Sequence, residues 1–235
     1  MTPWHVGVVV PARDEENLIG ACLVSIRAAV ANAGLPPGRV HVVVVANGCG
    51  DRTAAMARGL LEGLGAVIEL PAASVGAGRR AGTAAVLEAF CDVNPETIWL
   101  ANTDADTTVP PSWLIDHLRV AETAAAALAG VVRVESFAGH PACVPVQFHD
   151  IYSGPHDDHP HVHGANLGVR ADAYLAVGGW PALASGEDNE LWDALRAAGF
   201  PTISTRTVHV VTSSRTATRA SGGFGQWLVE LADAG

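Results

Sequence analysis

At 235 residues the chain has room for one large domain with a substantial core, so residues 1–235 are expected to fold as a unit. A formal net charge of -10 excludes the broad basic face that nucleic acid or an anionic membrane surface requires. Cys22, Cys49, Cys91 and Cys143 form no C-x-x-C pair, which predicts reduced thiols in a cytoplasmic protein rather than disulfides or a zinc site.

The β-branched run from His5 to Val10 predicts a strand covered on both faces and halted by Pro11-Ala12-Arg13. So early a strand predicts no signal peptide, and no apolar run is long enough to span a bilayer. A helix is expected next. Asp14, Glu15 and Glu16 load its first turn with negative charge, and Leu18, Ile19, Cys22, Leu23, Ile26 and Val30 form its apolar stripe. Val40 to Ala46 repeats the buried-strand pattern, Asn47-Gly48-Cys49-Gly50-Asp51 makes a tight loop, and Arg52 to Leu64 reads as a second helix that Asp51 is placed to cap. Ala66 to Leu70 reads as a third strand and Gly78 to Phe90 as a third helix. Their junction holds Gly76-Ala77-Gly78-Arg79-Arg80-Ala81, a literal dinucleotide fingerprint, but that motif belongs directly after a first strand. Its arginines are the informative residues, because a guanidinium near a helix N-terminus suits a diphosphate.

The fourth strand, Ile98-Trp99-Leu100-Ala101, runs out into Asn102-Thr103-Asp104-Ala105-Asp106. Residues i and i+2 of an extended chain point the same way, so Asp104 and Asp106 can face one point in space. Two bare carboxylates side by side repel unless a proton or a metal lies between them, and hard oxygen ligands suit Mg2+ or Mn2+ bridging to phosphate. The alternative is that the two acids only shape a surface turn. Their place at the end of a buried strand, late in an alternating strand and helix pattern, favours a ligand site.

Trp113, Leu114, His117, Leu118 and Ala121 give the next helix its buried side, and Ala125 to Val134 reads as a strand. Glu135 to Pro160 is rich in Pro, Gly and His and reads as irregular. His149, His156, His159 and His161 lack metal-site spacing; His163 opens a stretch to Arg170 whose small residues permit close approach to a ligand. Ala171 to Val177 reads as a short helix stopped by Gly178-Gly179. Glu187, Asp188 and Glu190 crowd the start of the following helix, where Ser185-x-x-Asp188 resembles a capping box and leaves a structural role open for one or two of the acids. Thr202 to Val211 supplies the last strand or strands, Thr212 to Gly225 a polar loop carrying Arg215 and Arg219, and Phe224, Trp227, Leu228 and Leu231 the packing side of a closing helix.

Taken in order, these pieces resemble the family 2 glycosyltransferases of the GT-A fold over nearly the whole chain. Val9 to Glu16 is similar to that family's first nucleotide-binding turn, Asn47 to Thr53 to its second, Asp104-Ala105-Asp106 to its metal-binding Asp-x-Asp, and Gly186-Glu187-Asp188 to its acidic pair near the acceptor. The resemblance implies an α/β fold, a single GT-A-like nucleotide-diphospho-sugar transferase domain with a mostly parallel central sheet and helices on both faces. Residues 1–110 would form the nucleotide-sugar half and 111–235 the acceptor half. It also implies that Pro11, Ala12, Arg13 and Glu15 line the base and ribose pocket, that Asn47, Asp51, Arg79 and Thr103 complete the donor site, and that Asp106 holds the metal while Asp104 serves ribose and metal. Ala46 and Asn47 stand where family members often carry two acids, so UDP is favoured only by its frequency among donors. The Q-x-x-R-W signature of processive synthases is absent, which fits a single transfer.

The chemistry so implied is inverting transfer from a nucleoside-diphosphate sugar to an acceptor hydroxyl, with Mg2+ or Mn2+ and Arg79 or Arg215 neutralising the leaving diphosphate. Asp188, ahead of Glu187, is the expected base. His209 is a candidate third metal ligand, and His163, Asn166 and Trp180 are candidates for gripping the acceptor. Three other readings stay open: a sugar-phosphate nucleotidyltransferase, a nicotinamide-dependent oxidoreductase built on Gly76 to Ala81, and a catalytically silent sugar-nucleotide binding module.

Overall fold

Val6, Val8 and Val10 point to one side of the first strand and Val9 to the other, and all four are fully buried, because helices cover both faces of the sheet they start. The computed structural model describes residues 3–154, 156–215 and 224–233. In chain order it runs β1 (His5–Ala12), α1 (Ile19–Ala33), β2 (Val40–Asn47), α2 (Thr53–Leu61), β3 (Gly65–Leu70), α3 (Val75–Ala89), β4 (Ile98–Asn102), β5 (Thr107–Thr108) and α4 (Trp113–Ala121). It continues with β6 (Ala127–Val134), α5 (Cys143–Tyr152), β7 (Leu167–Arg170), α6 (Ala171–Ala176), α7 (Glu187–Ala197), β8 (Thr202–Thr212) and α8 (Phe224–Asp233).

The strands form one sheet in the order β3-β2-β1-β4-β7-β6-β8-β5. β1 runs parallel to β2 and β4, β2 to β3, and β6 to β8, while β7 is antiparallel to both its neighbours and β5 to β8. On one face Ile19, Leu23 and Ile26 of α1, Leu61 of α2 and Trp113 and Leu114 of α4 pack on the even valines of β1. On the other, Val86 of α3, Tyr174 of α6 and Leu191 and Leu195 of α7 pack against Val9, Val43 and Val45. The order of connection reverses between β1 and β4, so the carboxyl ends of β1, β2 and β4 open onto one crevice, where open α/β sheets bind ligands.

The turns at those strand ends differ from expectation. The chain beyond β1 does not enter a helix at Asp14; α1 begins at Ile19 with no acid in its first turn. Residues 14–16 are laced instead to the loop after β2. Gly50 N–H donates to Asp14 Oδ1 at 2.7 Å, Glu15 N–H to Thr53 Oγ1 at 2.7 Å and Glu16 N–H to Asp51 Oδ2 at 3.0 Å. Asp14 takes a φ of 53° in the process, a region uncommon for residues other than glycine but one that aspartate tolerates. The acids therefore join two turns rather than complement a helix dipole.

The Gly76 to Ala81 run lies inside α3, whose N-terminus is capped by Ser74 Oγ accepting from Ala77 N–H. A Cβ at Gly76 would stand 2.0 Å from the Pro181 carbonyl oxygen, so this glycine serves close packing, not a dinucleotide. Within the stretch read as irregular, α5 forms despite Pro145, which sits early in the helix where its missing N–H costs little. Among the described residues no helix is long and apolar enough to cross a membrane.

Candidate active site

The crevice is a cavity of about 710 Å³. Its floor is the turn after β4. Ala105 is buried in the core, and Asp104 and Asp106 on either side of it both line the cavity. The segment is a turn rather than extended chain, closed by Thr107 N–H donating to Asp104 O at 3.1 Å, yet the i, i+2 spacing still brings both carboxylates to one opening.

Each carboxylate meets a guanidinium. Arg79 projects from the first turns of α3 with 2 % of its surface exposed, donating from Nη2 to Asp104 Oδ1 at 2.6 Å and from Nε to Glu187 Oε1 at 3.1 Å. Burial opposes its charge, and Asp104, Glu187 and Asp188 overcome that, leaving its pKa raised. Its shape is fixed as well. The guanidinium carbon lies 5.3 Å from the centre of the Trp180 ring, and a Cβ at Gly164 would come within 2.4 Å of Nη2. Arg79 Nη1 is buried and without a hydrogen-bond partner among the described residues. Arg215, beyond β8, reaches back to Glu15 at 2.6 Å and to Asp106 Oδ2 at 2.9 Å. Burial and then the charge of Asp104 raise the Asp106 carboxyl to about 6, with Arg215 opposing.

The donor set suits a hard divalent cation. It is all carboxylate oxygen, and among the described residues Asp104 Oδ2 accepts no hydrogen bond. Across the cavity, the first turn of α7 presents Glu187 and Asp188. The capping box that Ser185-x-x-Asp188 resembles does not form, since the residue preceding the helix is Gly186 with φ 75° and no side chain caps it. Asp188 is oriented otherwise: Oδ2 accepts Gly164 N–H at 2.8 Å and Oδ1 accepts Asn189 N–H at 2.9 Å. Glu187 is buried, with burial raising its carboxyl pKa against the pull of Arg79.

Of the other residues singled out from the sequence, Pro11, Ala12, Arg13, Glu15 and His163 line the cavity with those above. Several do not serve as expected. Asn47 reaches the cavity wall, but its amide is spent on the Ala73 backbone, Nδ2 donating to O at 2.9 Å and Oδ1 accepting from N–H at 2.8 Å. Asp51 braces Glu16 and Thr53, behind the wall. Thr103 is fully buried, with its hydroxyl unpartnered among the described residues. Asn166 is fully buried too and stitches β6 to β8, donating to Val131 O and Val208 O and accepting from Trp113 Nε1 at 2.9 Å, so it cannot grip an acceptor. Trp180 is shut in the core as the platform under Arg79. His209 lies three residues before Thr212, which faces Asp106, so it projects from the other side of β8. Its charged neighbours are Arg133 and Asp116, which removes it from any metal shell on Asp106. Arg219 lies outside the described residues.

An aromatic wall that the sequence marks only faintly also lines the cavity. Tyr152 of α5 stacks between Phe148 at 4.4 Å and His161 at 4.2 Å, and Phe224 and Trp227 of α8 close against its edge. The signal was the i, i+4 pair Phe148 and Tyr152, hidden in a proline- and histidine-rich stretch.

Residues 3–223 match the family model described as Glycosyltransferase like family 2. No curated protein matches the sequence. Among solved structures the fold is similar to Staphylococcus aureus TarS 1-349 in complex with UDP-GlcNAc, at a TM-score of 0.66 and 15% identity over 98% of this chain and 66% of that one. It is also similar to the mannosyltransferase PcManGT from Pyrobaculum calidifontis in complex with GDP-Man and Mn2+, at 0.62 and 19% over 99% of this chain and 75% of that one. The chain spans 36% of the longer TarS structure.

Proposed function

The chain belongs to glycosyltransferase family 2, and from that premise we propose that its cleft moves one sugar from a nucleoside-diphosphate sugar to an acceptor hydroxyl, with inversion at the anomeric carbon and a divalent cation on Asp104 and Asp106. One observation carries the reading: Asp106 and Asp188 line a single cavity, with Arg79 tying the carboxylate beside one to the carboxylate beside the other.

The reaction needs fixed positive charge where the diphosphate gains negative charge, because preorganised dipoles and charges lose nothing to reorganisation as the bond breaks. Arg79 supports this role: Gly164 and the Trp180 ring leave it no room to swing away, so its charge is fixed beside Asp104 at the cavity wall. Arg215 is the second cation, paired with Glu15 and Asp106 at the same opening, where phosphate oxygens would compete for it. Bound Mg2+ or Mn2+ would add Lewis-acid stabilisation of the leaving group. Pro11, Ala12 and Arg13 would border the nucleoside. Asp188, pinned by Gly164 N–H on Oδ2 and by the backbone and side-chain nitrogens of Asn189 on Oδ1, keeps one Oδ2 lone pair uncommitted and takes the acceptor proton as the oxygen attacks from the face opposite the diphosphate. Glu187, engaged by Arg79, positions that arginine instead of acting as base.

A thermal-shift panel of nucleoside diphosphates and sugar nucleotides, with and without Mn2+, tests the reading. The expected result is stabilisation by one nucleotide that requires the metal and disappears in Asp106→Asn. Metal-independent stabilisation that survives in Asp106→Asn, or pyrophosphate release from a nucleoside triphosphate, would overturn it.

A further inference from the structure

The two halves of the cavity differ in chemistry. Around Asp104 and Asp106 the wall carries Arg13, Glu15, Arg79 and Arg215. Beyond Asp188 it is built from Val132, Ile151, Tyr152, Val162, Phe224 and Trp227, with His161 and His163 between them. Among the described residues this second wall holds no carboxylate, lysine or arginine. Its histidines are uncharged near neutrality, since burial lowers the pKa of His161 and brings that of His163 to about 4.

Its polar atoms are also turned on one another. Tyr152 Oη shares a hydrogen bond with His163 Nε2 at 2.5 Å, and His161 Nε2 is bonded to Ile151 O at 3.2 Å. What remains for a ligand is mainly carbon and ring surface, with the second ring nitrogens of the two histidines and the Trp227 indole nitrogen as its few polar atoms. A sugar acceptor carries several hydroxyls, and each loses its water on entry unless a polar side chain replaces it. A hydrocarbon body loses nothing of the kind and gains by burial.

Resting on the transferase reading above, we infer that the acceptor is an uncharged alcohol or phenol with a hydrocarbon body, lodged against the Tyr152, Phe224 and Trp227 wall with its hydroxyl toward Asp188. The oxygen gives its proton to Asp188 and forms the bond to the anomeric carbon. The bond from that carbon to the phosphate oxygen breaks, and the nucleoside diphosphate leaves with the electron pair. Ile151 lines the cavity and is also 42% exposed, so the apolar wall continues to the surface. A small ring alcohol would end inside, and the hydroxyl end of a lipid would leave its chain there.

Saturation-transfer NMR on the full chain, with 2-naphthol, 1-octanol and maltose as probes, reads binding independently of transfer. The expected result is binding of 2-naphthol or 1-octanol but not maltose, weakened about tenfold or more by Trp227→Ala and by Ile151→Asn, as loss of one aromatic or apolar anchor implies. Val146→Ser, on the outer surface of α5, leaves it unchanged. Tighter binding of the ring probe identifies a small ring alcohol, and of the chain probe a lipid end. Preferential binding of maltose, equal weakening by Val146→Ser, or indifference to both wall substitutions overturns the inference. Should the hydrocarbon alcohols bind at this wall while no sugar nucleotide binds, the transferase reading fails and the wall's ligand chemistry stands.

Discussion

Arg79→Met removes the cation between two carboxylates while keeping most of the buried stem. The side chains of Arg79 and Glu187 are 3% and 6% exposed, whereas Asp104 at 36% can be rehydrated. The cost therefore falls on Glu187, and removing one partner of a buried ion pair costs about 3–5 kcal/mol. Burial already raises the Glu187 pKa and Arg79 restrains it, so the substitution drives it higher. A carboxyl whose folded pKa exceeds its unfolded value binds protons preferentially in the folded state. Stability of the variant then falls as pH rises through the window between those values and levels off above it. The assay is urea unfolding of wild type, Arg79→Met, Glu187→Gln and the double variant, at about pH 5 and about pH 8. Arg79→Met should lose about 3–5 kcal/mol at the higher pH, roughly 6–20 °C in Tm for a domain of this size, and recover part of it at the lower. The double variant should lose less than the two singles combined, a coupling of about 0.5–3 kcal/mol. Additive losses, or a cost under about 1 kcal/mol as for an exposed pair, would refute the strut assigned to Arg79.

His117 is buried among Trp99, Trp113 and Asn166, and burial lowers its pKa from 6.5 to about 4. A lowered histidine is protonated first in the unfolded chain, so the protein should lose about 3 kcal/mol as pH falls between those values. Unfolding of His117→Gln across the same range should show that slope reduced. Gly164→Ala places a Cβ 2.4 Å from Arg79 Nη2; overpacking of this kind costs about 1–3 kcal/mol. Donor affinity, read by calorimetry, should fall with it, and an unchanged affinity would separate Arg79 from the donor.

The strands and the two acidic turns were readable because their signals are local. β-branched runs announce buried parallel strands, and Asp104, Asp106 and Asp188 follow strand and loop ends where ligands collect. What sequence could not supply was the use of side chains across the fold. Asn166 and Trp180 sit in stretches that invite a ligand, yet strand pairing and Arg79 consume them. His209 fails for parity alone, an odd number of strand positions from Thr212. Glu15 reads as a donor-site residue in a run of helix-start acids, and only the return of the chain 200 residues later gives it Arg215. The aromatic wall was hidden because α5 and α8 meet from distant segments, each unremarkable in composition.

The central claim is tested most directly by comparing wild type with Asp188→Asn in nucleoside diphosphate release. Asparagine keeps an oxygen for the Gly164 N–H and gives up only the exposed contacts to Asn189, which water replaces, so the variant should fold and bind donor with unchanged Kd while kcat falls about 10²- to 10⁴-fold. A kcat equal to wild type with donor binding intact would contradict the account.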